Sequence, residues 1–245
     1  MNFTIQQVLA DLAPDGILRA AINYGNPVLA QRGEDGEDGE ARGVSVALAK
    51  SLAEELGSRL EMRTYDAAGK VFAALEEEEH WTVAFLAIEP VREEQILFSA
   101  PYVLIEGTYL VGQNSPFQQV EELDRPGLRL GVGKGAAYDL YLTRTLKHAS
   151  LERAETSIGA VDLFIHQHLD AAAGVRQPLE QFAARDPRYR VLADAFTAIR
   201  QAMAVPCNKP AGAEYVRDFI ERRLREGFVR GALLASGQTD VSAPR

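Results

Sequence analysis

The residue with most to offer chemically is Arg92. It follows residues 83–88 (VAFLAI), a short and almost wholly apolar run that reads as a strand buried on both faces of a parallel sheet. Glu89-Pro90 breaks that run, so the guanidinium belongs to a turn at the carboxyl end of the strand, where open α/β sheets take their ligands. Its planar fork suits a carboxylate held by two hydrogen bonds. The competing reading is an exposed ion pair with Glu89, worth about 0–1 kcal/mol. A second anion-binding device is the turn Gly133-Lys134-Gly135-Ala136-Ala137. There Gly135 lets the backbone approach, and the N–H groups opening the next helix would face an anion, with Lys134 adding charge. Gly131, Gly133 and Gly135 do not have the dinucleotide spacing, so this is not a nucleotide site.

No catalytic constellation accompanies these groups. His80, His148, His166 and His168 are the only histidines. His166 and His168, two apart, cannot share a helical face, so no zinc pair is visible. There is no Ser, His and acid set and no P-loop; Glu89, Asp139 and Glu180 are the acids that could be placed over a cleft. Cys207 is the sole cysteine, which rules out an intramolecular disulfide and reads as a small residue near a turn. Residues 33–43 (GEDGEDGEARG) lack the twelve-residue spacing and closing Glu of a calcium loop and read as a solvated hairpin tip. No metal and no cofactor is expected.

The elements that must position Arg92 and the glycine turn follow from periodicity. Residues 4–12 read as a helix, 17–22 as a strand, and 44–56 as a helix with one apolar stripe that Gly57 ends. Residues 60–63 form the second strand. Asp66 is the expected N-cap of a helix running to the acidic Glu76–Glu79, with Lys70 on its surface. After the Arg92 turn and the punctuation at Ser99-Ala100-Pro101-Tyr102, residues 106–111 leave the first lobe. A new βα rhythm begins with a strand at 128–132 and a helix over 138–148. Ser157 caps the next helix, 170–174 is a compact strand, Gln177-Pro178 opens a short helix, and 190–193 is the last strand of the second lobe. Residues 197–205 cross back beside 106–111, and Pro210 opens an amphipathic helix that Gly227 stops. The expected fold class is therefore α/β, two Rossmann-like lobes joined by a two-strand hinge. Lobe 1 is 1–110 plus 203–245, lobe 2 is 111–202, and the hinge strands lie near 106–111 and 197–205. Both lobes would point strand carboxyl ends into one cleft, and a carboxylate held there would draw them together.

The order of Arg92, Ile96-Leu97-Phe98-Ser99, Pro101-Tyr102 and a strand ending in Leu110-Val111 resembles the family 3 bacterial extracellular solute-binding proteins. These have the type II periplasmic binding protein fold and deliver amino acids and other small polar solutes to ABC transporters. The resemblance spans roughly residues 15 to 235 and implies a ligand site made of Tyr24 and Asn26, Phe85 and Ala87, Arg92, Gly135 to Tyr138 (with Ala136 and Ala137), Val175 and Arg176, with Gln177 a further contact. Tyr24 would be an aromatic wall. Three departures matter. Amino-acid-binding members carry Gly and Thr where this chain has Phe85 and Ala87, a hydroxyl residue where it has Ala136, and an ammonium-gripping carboxylate where it has Val175. An unpaired buried ammonium costs on the order of several kcal/mol, so a free α-amino acid is a poor ligand unless Glu89 or Glu106 turns inward. The expected solute is a small organic anion with an apolar or aromatic body.

Composition limits the partners. The chain has 245 residues, 47% hydrophobic and 25% charged, as a soluble globular protein does. Its net charge of −9 and lack of a basic stripe exclude nucleic acid and an anionic membrane surface. No run approaches a bilayer span, and residues 1–15 do not read as a secretory signal, so the chain as written would stay in the cytoplasm whereas the resemblance implies the periplasm. The expected partners are a small carboxylate and an ABC transporter permease, with the protein a monomer. The alternatives are a cytoplasmic sensor or partner-binding protein of the same fold, or a dehydratase-like enzyme derived from it.

Overall fold

The computed structural model describes residues 3–33, 40–77, 81–241 and 243. Most of the acidic stretch 33–43, with Glu78, Glu79 and His80, lies outside them. In chain order the elements are α1 (Ile5–Leu12), β1 (Ile17–Asn23), α2 (Val44–Leu56), β2 (Arg59–Tyr65), α3 (Ala68–Ala73), β3 (Val83–Ala87), α4 (Pro90–Glu93) and β4 (Ile96–Gly112). There follow β5 (Arg129–Gly133), α5 (Ala137–Thr145), β6 (Ser150–Ala154), α6 (Ser157–His166), β7 (Ala171–Val175), α7 (Arg176–Arg185), β8 (Tyr189–Val191), β9 (Thr197–Pro206), α8 (Pro210–Arg225) and α9 (Phe228–Ala235). None of the described helices is long and apolar enough to cross a membrane.

The chain divides into two compact units. Unit 1 comprises Met1–Asp66, Lys70–Leu104 and Arg200–Arg245; unit 2 comprises Ala67–Gly69 and Ile105–Ile199. Strands β4 and β9 each run through both. Within unit 1 the strand order is β2-β1-β3-β9, with β1 parallel to β2 and β3 and with β3 antiparallel to β9. Within unit 2 it is β4-β7-β5-β6, with β5 parallel to β6 and β7, β7 antiparallel to β4, and β8 also on β4. The two units thus repeat one plan: three parallel strands with the first in the middle, then an antiparallel strand beyond the third. Parallel neighbours cannot be joined by a tight turn, so a connection such as α2 or α6 must cross a sheet face between them.

Sequence explains the packing. All five residues of β3 are buried, as an uninterrupted apolar strand requires, although the sheet around it is mixed rather than parallel. Leu18, Ile22, Leu48, Leu52, Trp81, Leu86 and Phe219 form the large buried side chains of unit 1. In unit 2 the small residues Ala171, Ala172 and Ala173 make β7 a flat floor, and Val161, Phe164, Leu169 and Leu179 gather on Ala172 and Leu110.

Several local expectations change. β4 is one strand of 17 residues that runs through the punctuation expected at Ser99 to Tyr102 into 106–111, because Pro101 fits extended backbone and Ser99 Oγ accepts the Met203 N–H. Glu89-Pro90 begins a short helix rather than a turn, with Pro90 at its first position. Thr156, not Ser157, caps α6 by accepting the Gly159 N–H at 3.0 Å. Asp66 pairs with Lys70 at 2.8 Å. Helix α5 stops at Thr145 because the Asp124 carboxylate gathers the N–H groups of Lys147, His148 and Ala149 in an extended turn. Strand β6 and helix α9 carry too weak a pattern to be read in advance.

The C-terminal helix α8 is tied to α2 by one carboxylate. Glu55 accepts from Arg222 at 2.5 and 3.0 Å, from Arg223 at 2.8 Å and from Tyr215 at 2.6 Å. The Arg222 hydrogen bond, opposed by partial burial, holds the Glu55 carboxyl below its ordinary range. A depressed carboxylate contributes its stability fully above its unfolded value of about 4.3 and loses it as pH falls through the folded value. Glu55→Gln is therefore expected to cost about 1–2 kcal/mol at neutral pH. In thermal unfolding measured against pH, the gap to wild type should close below about pH 4; a gap that ignores pH would contradict this account.

Candidate functional site

With the first strand of each triplet in the middle, the chain leaves it toward one side and returns on the other. The carboxyl ends of the first and third strands then flank the crevice where the loops diverge, which is where such sheets bind ligands. In unit 1 these are the ends of β1 and β3; in unit 2 they are the ends of β5 and β7. Every site residue expected from the sequence falls at one of these four ends or in the helix turn that follows it.

At the end of β1, Asn23 Oδ1 accepts the Gly25 N–H at 2.9 Å and Asn26 Oδ1 accepts the Val28 N–H at 3.2 Å, so both asparagines shape the loop. Gly25 has to be glycine, because a Cβ there would lie 2.1 Å from the Asp66 carbonyl oxygen. The Tyr24 ring is half-buried with the Arg32 guanidinium 4.7 Å from its centre. On β3, Phe85 is buried edge-on to Tyr102, their ring centres 6.1 Å apart. Arg92 is only 1% exposed, and its Nη1 donates to the Ala87 carbonyl at 2.9 Å. Burial pushes its pKa down to about 10, with Glu89 opposing. Glu89 is buried as well, so its charge acts on Arg92 inside the protein and not as an exposed pair.

At the end of β5, Gly135 has φ +70°, the left-handed region that a side chain resists, and this bends the chain into α5. Its N–H donates to Asp139 Oδ2 at 2.8 Å. Asp139, in the first turn of α5, is thus an anion of the protein at this turn; it is itself buried and held by Arg153 at 3.0 Å and by Thr143. Lys134 lies 3.6 Å from Glu155. Ala136 and Ala137 are buried, and Tyr138 Oη donates to Ser157 Oγ at 2.8 Å while accepting the Gly133 N–H at 3.3 Å. An acid four residues after Gly135, at the positive end of a helix, was the sequence signal for Asp139 as an internal anion.

At the end of β7, Val175 is the N-cap of α7 and offers no side-chain oxygen. Arg176, expected as a ligand contact, makes four hydrogen bonds within unit 2. Its Nε donates to Glu106 at 2.5 Å, Nη1 to the Leu192 carbonyl at 3.0 Å, and Nη2 to the carbonyls of Ala193 and Asp194 at 3.1 and 3.0 Å. Thr108 Oγ1 donates to the Asp194 carbonyl at 2.8 Å, and the Asp194 carboxylate accepts the Val120 N–H. Arg176 therefore pins the segment that leads into β9 onto β4. Glu106 is paired with Arg176.

Two α/β units with their binding edges at strand carboxyl ends and two strands in common define a type II periplasmic-binding-protein architecture. The model of the bacterial extracellular solute-binding proteins, family 3, matches residues 19–230, and the chain belongs to that family. No curated protein matches it. Among solved structures it is similar to the solute receptor for L-cysteine of Neisseria gonorrhoeae, at 21% identity and a TM-score of 0.79, covering 93% of this chain and 92% of that one. It is similar to an amino acid ABC transporter substrate-binding protein from Streptococcus pneumoniae bound to L-arginine, at 20% identity and TM-score 0.78, covering 97% and 99%. An ancestral amino acid-binding protein, a precursor of cyclohexadienyl dehydratase, aligns at 21% identity and TM-score 0.73, covering 91% and 96%.

Two outcomes check the geometry. Arg92→Ala should destabilise the solute-free protein by on the order of 3 kcal/mol, since it opens a void and strips the Ala87 carbonyl of its donor; chemical denaturation measures this, and an unchanged midpoint would contradict the buried placement. Arg176→Ala should speed hydrogen exchange at Leu192 and Phe196, whose N–H groups donate to Tyr109 and Gly107. Exchange there at the wild-type rate would show that Arg176 does not hold the segment.

Proposed function

We propose that this chain captures a small carboxylate-bearing solute for an ABC transporter, with residues of both units as its ligand contacts. The observation that carries this reading is Arg92, a buried cation at the switch point of unit 1. Its planar fork at the end of β3 suits a carboxylate, and a solute carboxylate there would add to what the Ala87 carbonyl and Glu89 already provide. Tyr24, Asn26, Phe85 and Ala87 are the proposed neighbours of the solute on that side, and Gly135 to Tyr138 with Val175 on the other. Strands β4 and β9, which run through both units, are the proposed hinge.

The apolar residue at 175 argues for a carboxylate without an ammonium. The solutes of the structural relatives, L-arginine and L-cysteine, argue for an amino acid, and an amino acid is the solute proposed here. An enzymatic role is not proposed: both Asp139 oxygens are taken by protein donors, and Glu180 lies 3.6 Å from Arg176.

Thermal unfolding of the wild type against the standard L-amino acids, keto acids, aromatic acids and dicarboxylates tests the proposal. A solute at 100 times its Kd adds about 2.7 kcal/mol of stability. Stabilisation by one or a few amino acids is the expected result. Stabilisation only by non-amino carboxylates would return the solute to the class that Val175 alone suggests, and no response to any of them would overturn the binding reading.

A further inference from the structure

Gln177 stands one residue beyond Arg176, in the first turn of α7 at the switch point of unit 2. Its Oε1 is buried and has no hydrogen-bond partner among the described residues. A buried amide oxygen left without a donor costs about 1–3 kcal/mol, so a side chain this polar is not placed there by packing. The neighbouring groups have their partners already: Arg176 is engaged by Glu106 and three carbonyls, Val175 has no polar atom, and Tyr138 is bonded to Ser157. Gln177 Oε1 is thus a buried side-chain acceptor at the end of β7 without a partner among the described residues.

We infer that Gln177 Oε1 accepts a hydrogen bond from an amine of the solute and is the residue by which unit 2 selects an amine-bearing solute over its des-amino counterpart. The inference rests on the solute-binding reading above. An amide oxygen accepts from any donor, and the amine is the donor that every proposed amino-acid solute carries. A neutral acceptor two residues beyond Val175 can therefore serve an amine without a carboxylate at position 175.

Gln177→Met keeps the length and removes the acceptor, and calorimetric titration and thermal unfolding of the full chain read the result. The probes are L-arginine, L-cysteine and any other L-amino acid that stabilises the wild type, each beside its des-amino acid. The inference expects an unliganded Tm equal to or above that of wild type, because an unpartnered buried oxygen has gone. It also expects at least a tenfold weaker affinity for the amino acid, with the des-amino acid changed by less than twofold. A lower unliganded Tm would mean that the oxygen serves the fold, and equal losses on both members of a pair would mean that it does not read the amine; either overturns the inference. Unchanged amino-acid affinity overturns it too while leaving the solute-binding reading intact. A wild type that responds to no solute overturns that reading, and this inference with it.

Discussion

Parallel strand pairing is the constraint on which the rest of this structure depends. Two parallel neighbours cannot be joined by a hairpin, so β1 reaches β2 and β5 reaches β6 only through long crossovers. Once the first strand of each triplet lies in the middle, the loops at its carboxyl end and at that of the third strand diverge and leave a crevice. Arg92, the loop 23–26, the turn 133–137 and the start of α7 are near their crevices for this topological reason. No attraction among them is needed. The antiparallel strand beyond each third strand is drawn from β4 or β9, the two strands that both units share.

The polar groups at these edges show which part of the site is scaffold. Arg176 looks like a ligand residue by position and is a brace by geometry: a guanidinium with four acceptors already in place has little left for a solute. Asp139 is likewise an internal substitute for an anion, taking the Gly135 N–H and neutralised by Arg153. Buried polar atoms are nearly always satisfied, so the exceptions carry information. Gln177 is such an exception, and Arg92 is a buried charge that donates to the Ala87 carbonyl and lies in the field of Glu89. The two lie in different units, at equivalent ends of the repeated plan.

Belonging to the family 3 solute-binding proteins explains this plan, but at about 20% identity the relatives of known structure inform the fold and not the contacts. The contacts have to come from this chain's own residues. Ala87, Ala136 and Val175 offer no polar side-chain atom, so Arg92 and Gln177 are the groups proposed to hold a solute.

The sequence by itself determined the class of fold, the strand β3 with Arg92 after it, the helix α2 to its stop at Gly57, and the family. These are signals of periodicity and punctuation, which act over a few residues and survive without knowledge of the neighbours. It did not reveal that 96–112 is one strand, since a proline reads as a break until a side chain such as Ser99 is seen to take the ladder bond. Nor did it reveal β6, whose alternation is weak, or the cap at Thr156, one residue from the expected Ser157. Only the tertiary structure decided what each charged group does. Whether Arg176 meets a solute or Glu106, and whether Gly135 offers its N–H or gives it to Asp139, depends on atoms up to 70 residues away in the chain. Hydrogen bonds are directional and saturable, so a residue's type states what it can bind, and only its position in space states what it has already bound.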